Sequence, residues 1–129
     1  MEDFLRYIDM LIEEYAKQEQ ELIKAGCKDE ANFVKIKINI CDICKTLYNV
    51  SLKKVSAGKA EGVKTTDDKE FKSMLKEEYI GLLTKVPANW EASYQKAKEH
   101  GDAEKIVIEE SKLEVLQRIK NKFLELIEC

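Results

Sequence analysis

Apolar side chains recur every three or four positions through almost the whole chain, and no segment beyond the short run Val34–Ile40 alternates with period two. That spacing gathers apolar residues on one face of an α-helix and excludes the half-buried strand, so the expected fold class is all-α. Interruptions are few. One proline and five glycines in 129 residues leave room for only a handful of connections between long elements.

The first helix is expected from about Glu2 to Ala25, carrying Phe4, Leu5, Ile8, Leu11, Ile12, Tyr15, Leu22 and Ile23, with Gly26 in the place of a left-handed C-terminal cap. Asp29 is a candidate N-cap for a second helix reaching about Ser56. Its seam Phe33, Ile36, Ile40, Ile43, Leu47 and Val50 has the alternating spacing of a coiled coil. Residues 56–66 hold two glycines and no apolar period, and are expected to form a flexible loop with trypsin-sensitive Lys59 and Lys64. A third helix follows from Asp67, with Glu70 three residues on as a capping-box partner and Phe71, Met74, Leu75, Tyr79, Leu82 and Val86 inward. Pro87 kinks or splits it, which allows a short helix with Trp90, Tyr94 and Ala97 on one stripe. Gly101 closes that helix. Asp102 caps a last one from Ala103 to about Glu128, with Ile106, Leu113, Leu116, Ile119, Phe123, Leu126 and Ile127 inward. The expected architecture is a single up-down-up-down four-helix bundle domain over residues 1–129, with four to five helices.

The charge pattern adds a pairing. Residues 1–26 hold seven acidic and three basic side chains, whereas residues 27–65 hold four acidic and eight basic, so the first two helices are expected as electrostatic neighbours. An overall charge of −3, with no aromatic residues interleaved among the lysines, argues against nucleic acid. No apolar run approaches the roughly 20 residues that cross a bilayer, and the first residues are acidic and amphipathic rather than leader-like, so no membrane association and a cytoplasmic location are expected.

Candidate chemistry is sparse. Cys41 and Cys44 form a C-x-x-C in the middle of the strongest helix, away from the helix N-terminus that would lower a thiol pKa. A zinc site would need two more ligands, and Cys27, Cys129 and His100 show no paired spacing, so the cysteines read as reduced core thiols and no metal is expected. Gly58-Lys59 is no phosphate loop, because Ala60 stands where a hydroxyl is needed and Lys53 where the first glycine belongs. His100 has Ala97, not Glu, three residues before it, so it lacks the Glu-x-x-His of a bundle di-iron site, and its place in a last helical turn suits a dipole contact. The pairs Glu13-Glu14, Glu77-Glu78 and Glu109-Glu110 diverge by about 100° around a helix and cannot share a site. No cofactor and no catalytic residue is expected.

What remains is surplus apolar surface on the second helix. Val34, Ile38, Cys41, Cys44, Tyr48, Leu52 and Val55 widen its seam to an arc of about 240°, more than a four-helix bundle uses. Either the Trp90 segment folds back over that second face or another chain covers it. The functional expectation is a non-enzymatic interaction or scaffold protein, self-associating as a homodimer or docking a partner helix. Its candidate surface is Val34, Ile38, Cys41, Tyr48, Leu52 and Val55 together with Trp90 and Tyr94. The alternative is an enzyme or small-ligand-binding bundle whose site is assembled from dispersed side chains.

Overall fold

The computed structural model describes residues 2–60, 68–85 and 87–128. They form five helices, α1 (Glu2–Lys24), α2 (Lys28–Ala60), α3 (Asp68–Lys85), α4 (Ala88–His100) and α5 (Ala103–Ile127), and no strand occurs among the described residues. The chain is an all-α bundle. The third helical stretch is split at Pro87, as its imino nitrogen and fixed φ require.

Two tight turns follow from glycine. Gly26 (φ 81°) and Gly101 (φ 64°) adopt the left-handed conformation that a Cβ disfavours, and each lets the next residue reach back over the helix end. Cys27 N–H donates to the Leu22 carbonyl at 2.8 Å and Asp102 N–H to the Ala97 carbonyl at 3.1 Å, satisfying carbonyls the helix leaves open. Asp102 then caps α5, its carboxylate accepting from Lys105 N–H at 3.2 Å. The start of α2 differs from expectation. Its first intrahelical bond runs from Ala31 N–H to the Cys27 carbonyl, which makes Cys27 the cap and leaves Asp29 and Glu30 in the first turn, near the positive dipole end.

At its other end α2 continues through Ser56 and Gly58 to Ala60, so the loop expected from Ser56 begins later. A single glycine costs a helix about 1 kcal/mol, which a helix of 33 residues packed against α1, α3 and α5 absorbs. The rest of that loop, with Lys64 and the Asp67 cap, lies outside the described residues.

Packing converges on four rings, one from each long helix. Phe4 of α1, Tyr48 of α2, Tyr79 of α3 and Phe123 of α5 touch in all six pairings, edge to face, with centroids 4.7–6.2 Å apart. Ile8, Leu11, Cys41, Cys44, Leu75, Leu83 and Ile119 extend this core, all 0–1% exposed. The acidic α1 and basic α2 are neighbours as the charge pattern suggests, with Lys45 and Asp9 paired at 2.7 Å. Phe4 meets Tyr48 near one end of this pair, and Lys37 lies over the Tyr15 ring toward the other, so α1 and α2 run antiparallel. The short helix α4 lies along α5. The turn at Gly101 and Asp102 folds it there, and it does not cover α2 as one arrangement expected.

Candidate interaction surface

The facing of α2 reverses the sequence-based assignment. Val34, Cys41, Cys44, Tyr48 and Val55 are buried, with Ile38 and Leu52 half-buried against the core, so the row taken as surplus is the row that packs. In the row taken as the inward seam, Ile40 alone is buried. Phe33, Ile36 and Leu47 are half-buried, and Ile43 and Val50 are 37% and 48% exposed. The aromatic cluster goes with this facing: Tyr48 interlocks with Phe4, Tyr79 and Phe123, whereas Phe33, the ring of the other row, stands about 22 Å further along the helix.

The proposed surface is therefore corrected. Val34, Cys41, Tyr48 and Val55 belong to the chain's own interior and are closed to a partner, while Trp90 and Tyr94 lie on α4 against α5. Trp90 is half-buried at the edge of the core with Lys112 Nζ 5.7 Å from its ring centroid. Tyr94 Oη donates to Glu110 Oε1 at 2.9 Å, and Lys98 Nζ stands 4.3 Å over its ring. The eight residues do not share one surface.

The polar groups inside are held in neutral forms. Burial pushes the Cys41 and Cys44 thiols up to about 12, with the neighbouring Asp42 charge adding to the effect at Cys41. Tyr48 is likewise pushed up to about 12 by burial, and Tyr79 is raised further, by burial first and then by Cys44. Tyr79 Oη donates to the Cys44 backbone carbonyl at 2.9 Å. Tyr48 Oη and Glu109 Oε2 are buried with no hydrogen-bond partner among the described residues. At neutral pH this interior offers no thiolate or phenolate nucleophile, which suits packing rather than nucleophilic chemistry. Among the described residues no group of three or more His, Cys, Asp or Glu is placed to hold a metal ion.

The outer side of α2 is different in character. About 180° from the Cys41–Tyr48 face, helical geometry aligns Asn32, Ile36, Asn39, Ile43, Thr46 and Val50. Ile36 is half-buried and the other five are exposed. This row spans five turns, about 27 Å, without one charged side chain in a protein that is 36% charged. Its signal in the sequence was the boundary between the apolar arc and the narrow polar side, where neither row alone looked like a surface.

A second apolar feature is a groove of about 650 Å³ between α3 and α5, lined by Ile80, Gly81, Thr84 and Leu124 and rimmed by the Lys76–Glu128 ion pair. No helix among the described residues is long and apolar enough to cross a membrane. The fold and this surface define the class as a helical bundle with an uncharged row along the outside of α2, flanked by the exposed Lys35 and Asp42. Comparison with protein-family models, curated proteins and solved structures finds no match.

Proposed function

We propose that the chain is a non-enzymatic helical interaction module that binds a protein helix along the outer face of α2. The observation that carries this reading is the uncharged row from Asn32 to Val50 on the side of the longest helix opposite the core. Charged residues are depleted at the centres of protein interfaces, and a row repeating every 3.5 residues is what a second helix packs against. Ile43 and Val50 supply apolar area, while Asn32, Asn39 and Thr46 supply hydrogen bonds that carry no net charge. The module works in the cytoplasm, a reading supported by free thiols at Cys27, Cys41 and Cys44, which a reducing compartment keeps unpaired.

The test is site-specific photo-crosslinking in cells, with a benzophenone amino acid placed at Asn39 and, as control, at Gln95 of α4, also exposed. A discrete protein adduct from position 39 and none from position 95 is expected. Adducts from neither, or from both alike, would overturn the assignment of this face.

A further inference from the structure

Resting on that reading, we infer that the occupant of the α2 face is a second copy of this chain, packed antiparallel about a two-fold axis midway between Asn39 and Ile43. The argument is charge complementarity at the two ends of the row. Continued by one step each way at the same spacing, the row reaches Asp29 at its start and Lys53 at its end, both exposed and without an ion pair among the described residues. The uncharged centre is thus closed by one negative and one positive end.

Two copies laid antiparallel with their row midpoints superimposed place the partner's Lys53 opposite Asp29 without further adjustment. The same register sets the partner's Val50 on Asn32, Thr46 on Ile36 and Ile43 on Asn39, the alternating layers of an antiparallel helix pair. A parallel pair would instead stack Asp29 on Asp29 and Lys53 on Lys53. The same register sets the acidic first turn of each α2 against Lys53 and Lys54 of the other. The half-buried Phe33 and Leu47, on the edge of the row, approach each other across the axis and lengthen the apolar contact. One repulsion is built in, since the axis also brings the two Asp42 side chains near each other.

Sedimentation equilibrium of the full chain tests this. The unaltered protein is expected to dimerise, and Ile43→Glu to abolish the dimer with helicity unchanged. Lys53→Asp and Asp29→Lys should each weaken dimerisation about tenfold, because two attractions become two repulsions. The double variant K53D/D29K, which restores opposite charges, should return to near the starting affinity. Asp42→Asn should tighten the dimer, a response that a parallel pair, with the two Asp42 on opposite sides, would not give. A dimer that ignores the charge swaps would overturn the antiparallel register. A protein that stays monomeric while crosslinking to another protein from position 39 would overturn the second copy and leave the α2 face standing.

Discussion

Tyr48 and Tyr79 sit in the same ring cluster, both fully buried, yet among the described residues only Tyr79 has a partner for its hydroxyl. Replacing each by Phe keeps the edge-to-face contacts and deletes a single polar atom in two different circumstances. Tyr79→Phe removes the 2.9 Å bond to the Cys44 carbonyl. That carbonyl still accepts its helical bond from Tyr48 N–H, so nothing is orphaned and the cost is about 1 kcal/mol. Tyr48→Phe removes a hydroxyl that is buried without a bond, a state costing roughly 1–3 kcal/mol. The space left by one oxygen, on the order of 10 Å³, returns about 0.3 kcal/mol of that gain. The net expectation is stabilisation by about 1 kcal/mol, so the two variants should differ by about 2 kcal/mol and have opposite signs. With a urea m-value near 1.5 kcal/mol/M, that separates their midpoints by about 1.3 M, well within measurement. A Tyr48→Phe protein destabilised as much as Tyr79→Phe would show that the Tyr48 hydroxyl is bonded and would refute the reasoning.

The facing of α2 can be read from one substitution made twice. Val34→Ala, at a site 7% exposed, should cost about 2 kcal/mol, whereas Val50→Ala, at 48%, should stay within about 0.5 kcal/mol; equal costs would reverse the assignment of inner and outer faces. Stability should also fall on the alkaline side. The Cys41 and Cys44 thiols keep their protons to about 12, while in the unfolded chain they lose them near 8.5, so their contribution is complete below that value and is lost as pH rises through 12. Each thiol adds a slope of up to about 1.4 kcal/mol per pH unit, and a urea midpoint that holds constant from pH 7 to 10 would contradict their burial.

Helix content and ends were largely legible from the sequence, because glycine and proline act locally. Gly26, Gly101, Asp102 and Pro87 each do what their own covalent geometry dictates, whatever the surrounding tertiary contacts. The inward faces of α1, α3 and α5 were readable in part: Phe4, Ile8, Leu75, Tyr79, Ile119 and Phe123 lie on the expected stripes and in the core, whereas Leu83 and Val115, both 1% exposed, pack where their half-buried neighbours Leu82 and Leu116 were expected. The face of α2 was not. It carries two rows of comparable hydrophobicity, and periodicity reports that a row exists without saying which neighbour it meets. Choosing Phe33–Val50 over Val34–Val55 required knowing that Tyr48 would complete a cluster with rings 31 or more residues away, a three-dimensional fact. The same limit misplaces the candidate surface, because an apolar arc of about 240° does not say which part of it meets the core.

The ring cluster ties the stability of the molecule into one event. Each long helix contributes one ring and each ring touches the other three, so withdrawing any one of α1, α2, α3 or α5 forfeits half of the six contacts. Such an arrangement penalises partial opening almost as heavily as complete unfolding, and backbone amides at the middle of all four helices should exchange with solvent through a single shared transition. The helix that supplies no ring is the exception. Among the described residues α4 packs chiefly on α5, anchored by Ala97 and the edge of Trp90, so its amides should exchange faster than those of the other four helices. The four ring-bearing helices thus stand or fall together, and α4 is the element whose loss costs the cluster nothing.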